Sequence, residues 1–168
     1  MPTGGSELNM ARIAREHYDA VYRFCARRVG TDRAADVAQE TFLTAQKVLH
    51  KFRGDSSITT WLFGIALNEC RRAYRKVRPE VSLLDLDGAG SQTTSLQDEV
   101  VDRHALNQAL SRLSPDHREV VILHEVEGMT YEEAAVVLGV PVGTVKSRLH
   151  HAFLQLRRQL MPVEEAAR

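Results

Sequence analysis

Two stretches of this 168-residue chain carry side chains suited to chemistry with phosphates and bases. In the first, Arg71, Arg72, Arg75, Lys76 and Arg78 fall within eight residues. One or two such charges would do no more than complement the dipole at a helix C-terminus. Five suit a phosphate backbone better, the more so with Phe63 and Tyr74 as exposed aromatic candidates on the same segment. Just upstream lie Phe52 and the polar loop Arg53-Gly54-Asp55-Ser56-Ser57. A basic surface beside aromatics and a polar loop is what single-stranded DNA binding asks for. An unstacked base held there can lie against a ring and hydrogen-bond to loop groups. In the second stretch, Thr144, Lys146, Ser147, Arg148, His150 and His151 fall on the free side of a helical pattern. They are donors and acceptors suited to phosphates and to base edges in the major groove.

Other chemistries find no support. There is no HExxH, P-loop, dinucleotide glycine fingerprint or nucleophile elbow. The seven histidines are scattered, apart from His150 and His151, and the two cysteines, Cys25 and Cys70, form no CxxC. Neither a disulfide scaffold nor a zinc ribbon is expected, and no metal or other cofactor. No apolar run approaches the roughly 18–20 residues of a membrane span. The polar N-terminus lacks a signal-peptide core. The expectation is a reduced, soluble, cytoplasmic protein without membrane insertion. Net charge is zero, which excludes a uniformly basic nucleic-acid binder. It hides an asymmetry: residues 1–78 balance to +6, residues 79–104 to −5 and residues 105–168 to −1. Such blocks point to a locally basic surface.

The elements that must position these side chains read as helices. From Met10 to Val29 a stripe of Ile13, Ala14, Tyr18, Val21, Tyr22, Cys25 and Val29 recurs with a period near 3.6. Gly30 suits a left-handed end, and Thr31 or Asp32 suits the next cap. A second helix is expected from about Arg33 to Phe52, with Val37, Ala38, Thr41, Phe42, Ala45, Val48, Leu49 and Phe52 inward. A third runs from about Thr59 to Arg78, with Trp61, Leu62, Ile65, Ala66 and Cys70 inward. Cys25 and Cys70 are both read as core. Residues 79–97 are rich in Pro, Gly, Ser, Thr and Asp, and read as a flexible acidic linker.

Beyond it, Asp98 to Leu113 forms a helix on Val101, Ala105, Leu106, Ala109, Leu110 and Leu113. Ser114-Pro115 is a serine cap with proline at the first helical position. That helix continues to about Val126, and Gly128 ends it. Thr130-x-x-Glu133 is a capping box opening a short helix. Gly139-Val140-Pro141 turns the chain into a last helix reaching about Leu160, with Val145, Leu149, Ala152, Phe153, Leu156 and Leu160 inward. Residues 130–151 thus form a helix-turn-helix pattern. The fold class is all-α, two small helical domains joined by a flexible linker.

These pieces in this order resemble the extracytoplasmic-function (ECF) group of bacterial sigma factors, in the sigma-70 superfamily. The residues that carry the resemblance are Asp36-Val-Ala-Gln-Glu-Thr-Phe42, Phe52-Arg-Gly-Asp-Ser56 with Thr60-Trp-Leu62, Asn68, and Leu113-Ser-Pro-Asp-His-Arg-Glu119. Gly128-Met-Thr-Tyr-Glu-Glu-Ala-Ala135 and Leu138-Gly-Val-Pro-Val-Gly-Thr-Val-Lys-Ser-Arg-Leu149 complete them, so the likeness covers about residues 10–160. It implies that residues 8–78 are a region 2, residues 79–97 the linker and residues 98–161 a region 4. It implies a factor, not an enzyme, that binds core RNA polymerase and directs promoter-specific initiation by contacting promoter DNA through both domains. Asp36, Gln39, Glu40 and Phe42 would contact polymerase. Phe52, Arg53, Gly54, Asp55, Ser56 and Asn68 would hold a base flipped from the non-template strand at the minus-ten element. Arg71, Arg72, Arg75 and Lys76 would grip phosphates there. Thr144, Lys146, Ser147, Arg148, His150 and His151 would read the minus-thirty-five element. Membership also implies an anti-sigma factor as partner, one that could hold the protein at the membrane.

Two features depart from the family pattern. His150-His151 stands where many relatives carry a bulky apolar or basic residue and then arginine. The sequence also ends soon after Leu160, so a signal input is expected to come from a separate protein. The rival readings are a helix-turn-helix repressor or activator, which usually dimerises on paired half-sites, and a structural helical adaptor. The first leaves residues 8–78 unexplained. The second predicts that neutralising Lys146 and Arg148 changes nothing in promoter use.

Overall fold

The computed structural model describes residues 9–77 and 98–161, with the backbone alone at 77 and 98–102. The linker expectation for 79–97, and Arg78, fall outside the described residues. In chain order the helices are α1 (Met10–Val29), α2 (Thr31–Val48), α3 (Ile58–Val77), α4 (Asp98–Ser111), α5 (Pro115–Val121), α6 (Tyr131–Leu138) and α7 (Val142–Leu160). No strand occurs among the described residues. The helices fall into two compact units, α1–α3 and α4–α7.

In the first unit, the Asn9 side chain caps α1 by accepting the Ala11 N–H at 2.9 Å. Gly30, at φ +80° and ψ 161°, is the single residue between α1 and α2. Neither Thr31 nor Asp32 caps α2, since both already lie inside it and no side chain bonds its first amides. A residue with a Cβ would be strained at this positive φ. The core combines Ile13, Val21, Phe24, Cys25 and Val29 of α1 with Ala34, Val37, Ala38, Thr41 and Ala45 of α2 and Leu62, Ala66, Leu67 and Cys70 of α3. The alanines let the backbones approach. Phe24 was not in the expected stripe, and Tyr18, which was, is 40% exposed. Cys25 and Cys70 are both buried. A hydrogen bond from Cys70, aided by the Arg28 charge and Thr41, outweighs burial and lowers the Cys25 thiol pKa. α2 stops at Val48, tightens into a 3-10 turn at Leu49–Lys51, and releases Phe52 in extended backbone.

In the second unit, Ser114 caps α5 as expected, its Oγ accepting the His117 N–H at 3.3 Å, with Pro115 at the first position. The expected continuation to Val126 is a π-helical turn, Ile122–Val126, closed by Glu127 N–H donating to the Ile122 carbonyl at 3.0 Å. Arg118, 4% exposed, points back to the end of α4. Its Nε donates to the Leu110 carbonyl, and its Nη2 to those of Ser111 and Leu113, each at 2.9 Å. Burial lowers its pKa, against a smaller upward pull from Glu119. The core holds Ala109, Leu113, Val120, Leu123, Ala134, Val137, Val145, Leu149, Ala152 and Leu156. Leu106, Phe153 and Leu160, expected inward, are 42%, 44% and 42% exposed. The buried stripe of α7 is 145, 149, 152 and 156, and residue 153 lies about 100° round the helix from 152.

Candidate nucleic-acid interfaces

The helix-turn-helix is built from local bonds. Thr130 Oγ1 accepts the Glu133 N–H at 3.1 Å, and Glu133 Oε2 accepts the Thr130 N–H at 2.9 Å, completing the capping box. Gly139 ends α6 in the left-handed region, φ +66° and ψ 35°, where glycine carries no Cβ penalty. Pro141 then begins α7, its carbonyl accepting the Thr144 N–H at 3.0 Å. Ala134, Ala135 and Val137 of α6 and Val145, Leu149 and Ala152 of α7 are the buried residues of the two helices here. This leaves Lys146, Ser147, His150 and His151 exposed and Thr144 half-buried.

The six expected readers differ in how they are held. Lys146 Nζ lies 5.5 Å from the Tyr131 ring centroid, within cation–π reach. Ser147 Oγ donates to the Thr144 carbonyl at 3.1 Å. Arg148 departs from the expected outward placement: it is half-buried, its Nη2 2.7 Å from Asp116 Oδ2. Asp116 is 60% exposed, so the pair contributes little and a phosphate can compete for the guanidinium. His151 Nδ1 sits 2.7 Å from the Ser147 carbonyl, which requires it to carry the proton. Its ring stacks on His117 of α5, centroids 6.2 Å apart and 8° from parallel, and meets His150 edge-on at 5.7 Å.

In the first unit, Ser57 begins α3: its Oγ accepts the Thr60 N–H at 3.1 Å. The preceding loop exposes Arg53, Gly54 and Asp55, with Ser56 half-buried and Gly54 at φ +79°. The half-buried Phe52 ring lies 5.1 Å from Trp61, tilted 52°. Asn68 is exposed; Arg72 follows it at i+4, and Arg75 and Lys76 continue the exposed side. Arg71 is half-buried. Asn68 lies seven residues beyond Trp61, about 10 Å along the axis of the same helix. Phe63 and Tyr74 are not free platforms. Phe63 stacks on Phe24 at 4.4 Å, Tyr74 Oη donates to the Arg28 carbonyl at 2.6 Å, and Arg33 lies 5.3 Å over the Tyr74 ring.

A groove of about 510 Å³ runs between α1 and α2, lined by Ala14, Tyr18, Asp36, Gln39, Phe42 and Leu43 among others. Tyr18 stacks on Phe42 at 6.1 Å and on Tyr22 at 6.2 Å. Leu43 is 44% exposed. Glu40 is exposed on α2 without lining the groove.

The family model for sigma-70 region 2 matches residues 13–80, and the model for sigma-70 region 4 matches residues 103–156. The chain belongs to the sigma-70 family, in its extracytoplasmic-function group. It serves promoter-specific transcription initiation with RNA polymerase. It is 34% identical over 163 residues to the RNA polymerase sigma factor YlaC of Bacillus subtilis, covering 93% of this chain and 94% of that one. It is 40% identical over 128 residues to the ECF RNA polymerase sigma factor EcfG of Rhodopseudomonas palustris, covering 74% and 70%. A solved sigma factor RpoE, in complex with the anti-sigma factor NepR from Bartonella quintana, matches with TM-score 0.58 and 29% identity, over 89% of this chain and 95% of that one. These relatives are initiation factors rather than enzymes.

Among the groove residues of this sigma factor that sequence reasoning does not assign to it are Tyr18 and Leu43. Tyr18 fits the inward stripe of α1, and Leu43 falls outside the inward stripe of α2 beside polar residues.

Proposed function

We infer that this sigma factor is the promoter-specificity subunit of a bacterial RNA polymerase, with residues 8–78 acting as region 2 and residues 98–161 as region 4. Region 4 places α7 in the major groove of the minus-thirty-five element. Thr144, Lys146, Ser147, His150 and His151 meet phosphates and base edges, and Arg148 joins them by leaving Asp116. Region 2 takes the non-template strand at the minus-ten element along α3. Phe52, the Arg53–Ser56 loop and Asn68 hold an unstacked base, and Arg71, Arg72, Arg75 and Lys76 follow the backbone. The α1–α2 groove, with Asp36, Gln39, Phe42, Tyr18 and Leu43, receives the polymerase, and Glu40 lies beside it. Residues 79–97 link the two regions. The polymerase supplies the chemistry, and this chain catalyses nothing itself. Its place is the cytoplasm; among the described residues no helix is long and apolar enough to cross a membrane. An anti-sigma factor is its expected inhibitor, as NepR is the named partner of the Bartonella relative.

The observation that supports this reading most is the exposed polar face of α7 directly after a capped helix and a tight turn. It is tested by transcription in vitro with core polymerase over fragmented genomic DNA. Discrete start sites that depend on this chain are expected, sharing two elements upstream. No binding to core polymerase would favour the plain helix-turn-helix regulator instead. Within region 4, Lys146→Ala should weaken duplex binding and lower the slope of log affinity against log salt by about 0.9, the value of one lost phosphate contact. An unchanged slope places the ammonium off the DNA.

A further inference from the structure

Glu69 is a carboxylate 6% exposed on the helix that carries Asn68, Arg71, Arg72, Arg75 and Lys76. Asn68 before it is exposed and Cys70 after it is buried, so Glu69 stands at the border between the core and the proposed DNA face. A buried charge is unfavourable unless it is paired and hydrogen-bonded. Glu69 has partners from two helices. From α2, Thr44 Oγ1 donates to Oε1 at 2.9 Å. From α3, Arg72 Nη1 reaches Oε2 at 3.2 Å and Oε1 at 3.4 Å. The threonine fixes the rotation of the carboxylate, and the carboxylate fixes the end of Arg72. The arginine side chain nevertheless stays 60% exposed.

The arrangement does more than neutralise a charge. An apolar residue at a buried site of this kind would serve stability as well or better. These two bonds use one guanidinium nitrogen, and the group carries five N–H donors. Arg72 is four residues from Asn68 and shares its side of α3. A long exposed side chain loses rotamer freedom when it grips a phosphate, and one already held loses less.

We propose that Glu69 is a positioning residue for promoter DNA: anchored by Thr44, it holds the exposed Arg72 side chain in place on α3 to take a phosphate of the single-stranded minus-ten strand. The proposal rests on the minus-ten reading of α3 given above and deepens it.

The test uses the full chain bound to core polymerase and a single-stranded oligonucleotide carrying the minus-ten element. Glu69→Gln keeps the shape and an acceptor for Thr44 but loses the charged hold on Arg72. It is expected to weaken binding about fivefold. In an Arg72→Ala background, itself weakened about tenfold, the same change should have no further effect. Thr44→Val, which leaves both charges in place, should weaken binding about twofold and also be silent without Arg72; it carries the test if Glu69→Gln does not fold. Tighter binding by Glu69→Gln would overturn the proposal by showing that the carboxylate competes with phosphate. An equal loss with and without Arg72 would overturn it in favour of a structural role. Asn68→Ala and Arg71→Ala separate the two levels. If neither weakens oligonucleotide binding, the minus-ten reading of α3 fails and takes the proposal with it. If they do and Glu69→Gln does not, only Glu69's role falls.

Discussion

Arg118→Met should cost region 4 about 3 kcal/mol or more and leave region 2 folded. The guanidinium is 4% exposed and satisfies the carbonyls of Leu110, Ser111 and Leu113, where α4 ends and the chain turns into α5. Hydrogen bonds from a charged donor contribute about 1.5–3 kcal/mol each, and buried carbonyls left without a donor add their own desolvation cost. Methionine fills much of the volume, so the loss reports the bonds more than a cavity. A domain this small has only a few kcal/mol in reserve. The one tryptophan of the chain, Trp61, lies in region 2. Its fluorescence therefore follows region 2 alone, whereas far-ultraviolet circular dichroism follows both. Expected is an early circular-dichroism transition, separated from an unshifted fluorescence transition, together with loss of duplex minus-thirty-five binding. A loss under about 1 kcal/mol would mean that water replaces the guanidinium at the three carbonyls.

The same arginine shows what periodicity leaves unread. In the sequence it is one more charge in Leu113-Ser-Pro-Asp-His-Arg-Glu119, and its partners come from the preceding helix. Features closed by local bonds were legible: the Ser114-Pro115 start, the Thr130–Glu133 capping box and the Gly139 stop all depend on residues a few positions apart. So was most of the polar side of α7, because a helix that seats Val145, Leu149 and Ala152 turns Lys146, Ser147, His150 and His151 outward. Features closed across helices were not. Phe63 and Tyr74 looked exposed until α1 supplied Phe24 and the Arg28 carbonyl. Arg148 looked free until α5 supplied Asp116. Gly30 ends α1 as read, but with a single residue between the two helices neither Thr31 nor Asp32 is left outside α2 to cap it. The π-helical turn at 122–126 shifts the register by one residue, which no apolar stripe announces.

Phe52→Ala should reduce transcription from duplex promoters about tenfold while leaving the initial duplex complex almost unchanged. Stacking of an unpaired base on an aromatic ring contributes about 1–3 kcal/mol, and that contribution exists only once the base has left the helix. It therefore lowers the energy of the opened state without touching the closed one. Phe52 is half-buried and 5.1 Å from Trp61, so alanine also removes packing at the entry to α3. Phe52→Leu distinguishes the two effects, since leucine restores apolar contact with Trp61 but offers no aromatic face. If stacking is the role, leucine recovers the stability measured through Trp61 but not the opening. If packing is the role, leucine recovers both. An equal fall in duplex binding and opening for the alanine variant would move Phe52 out of the DNA interface. The Arg53–Ser56 loop would then serve region 2 only as the turn that delivers Ser57 to cap α3.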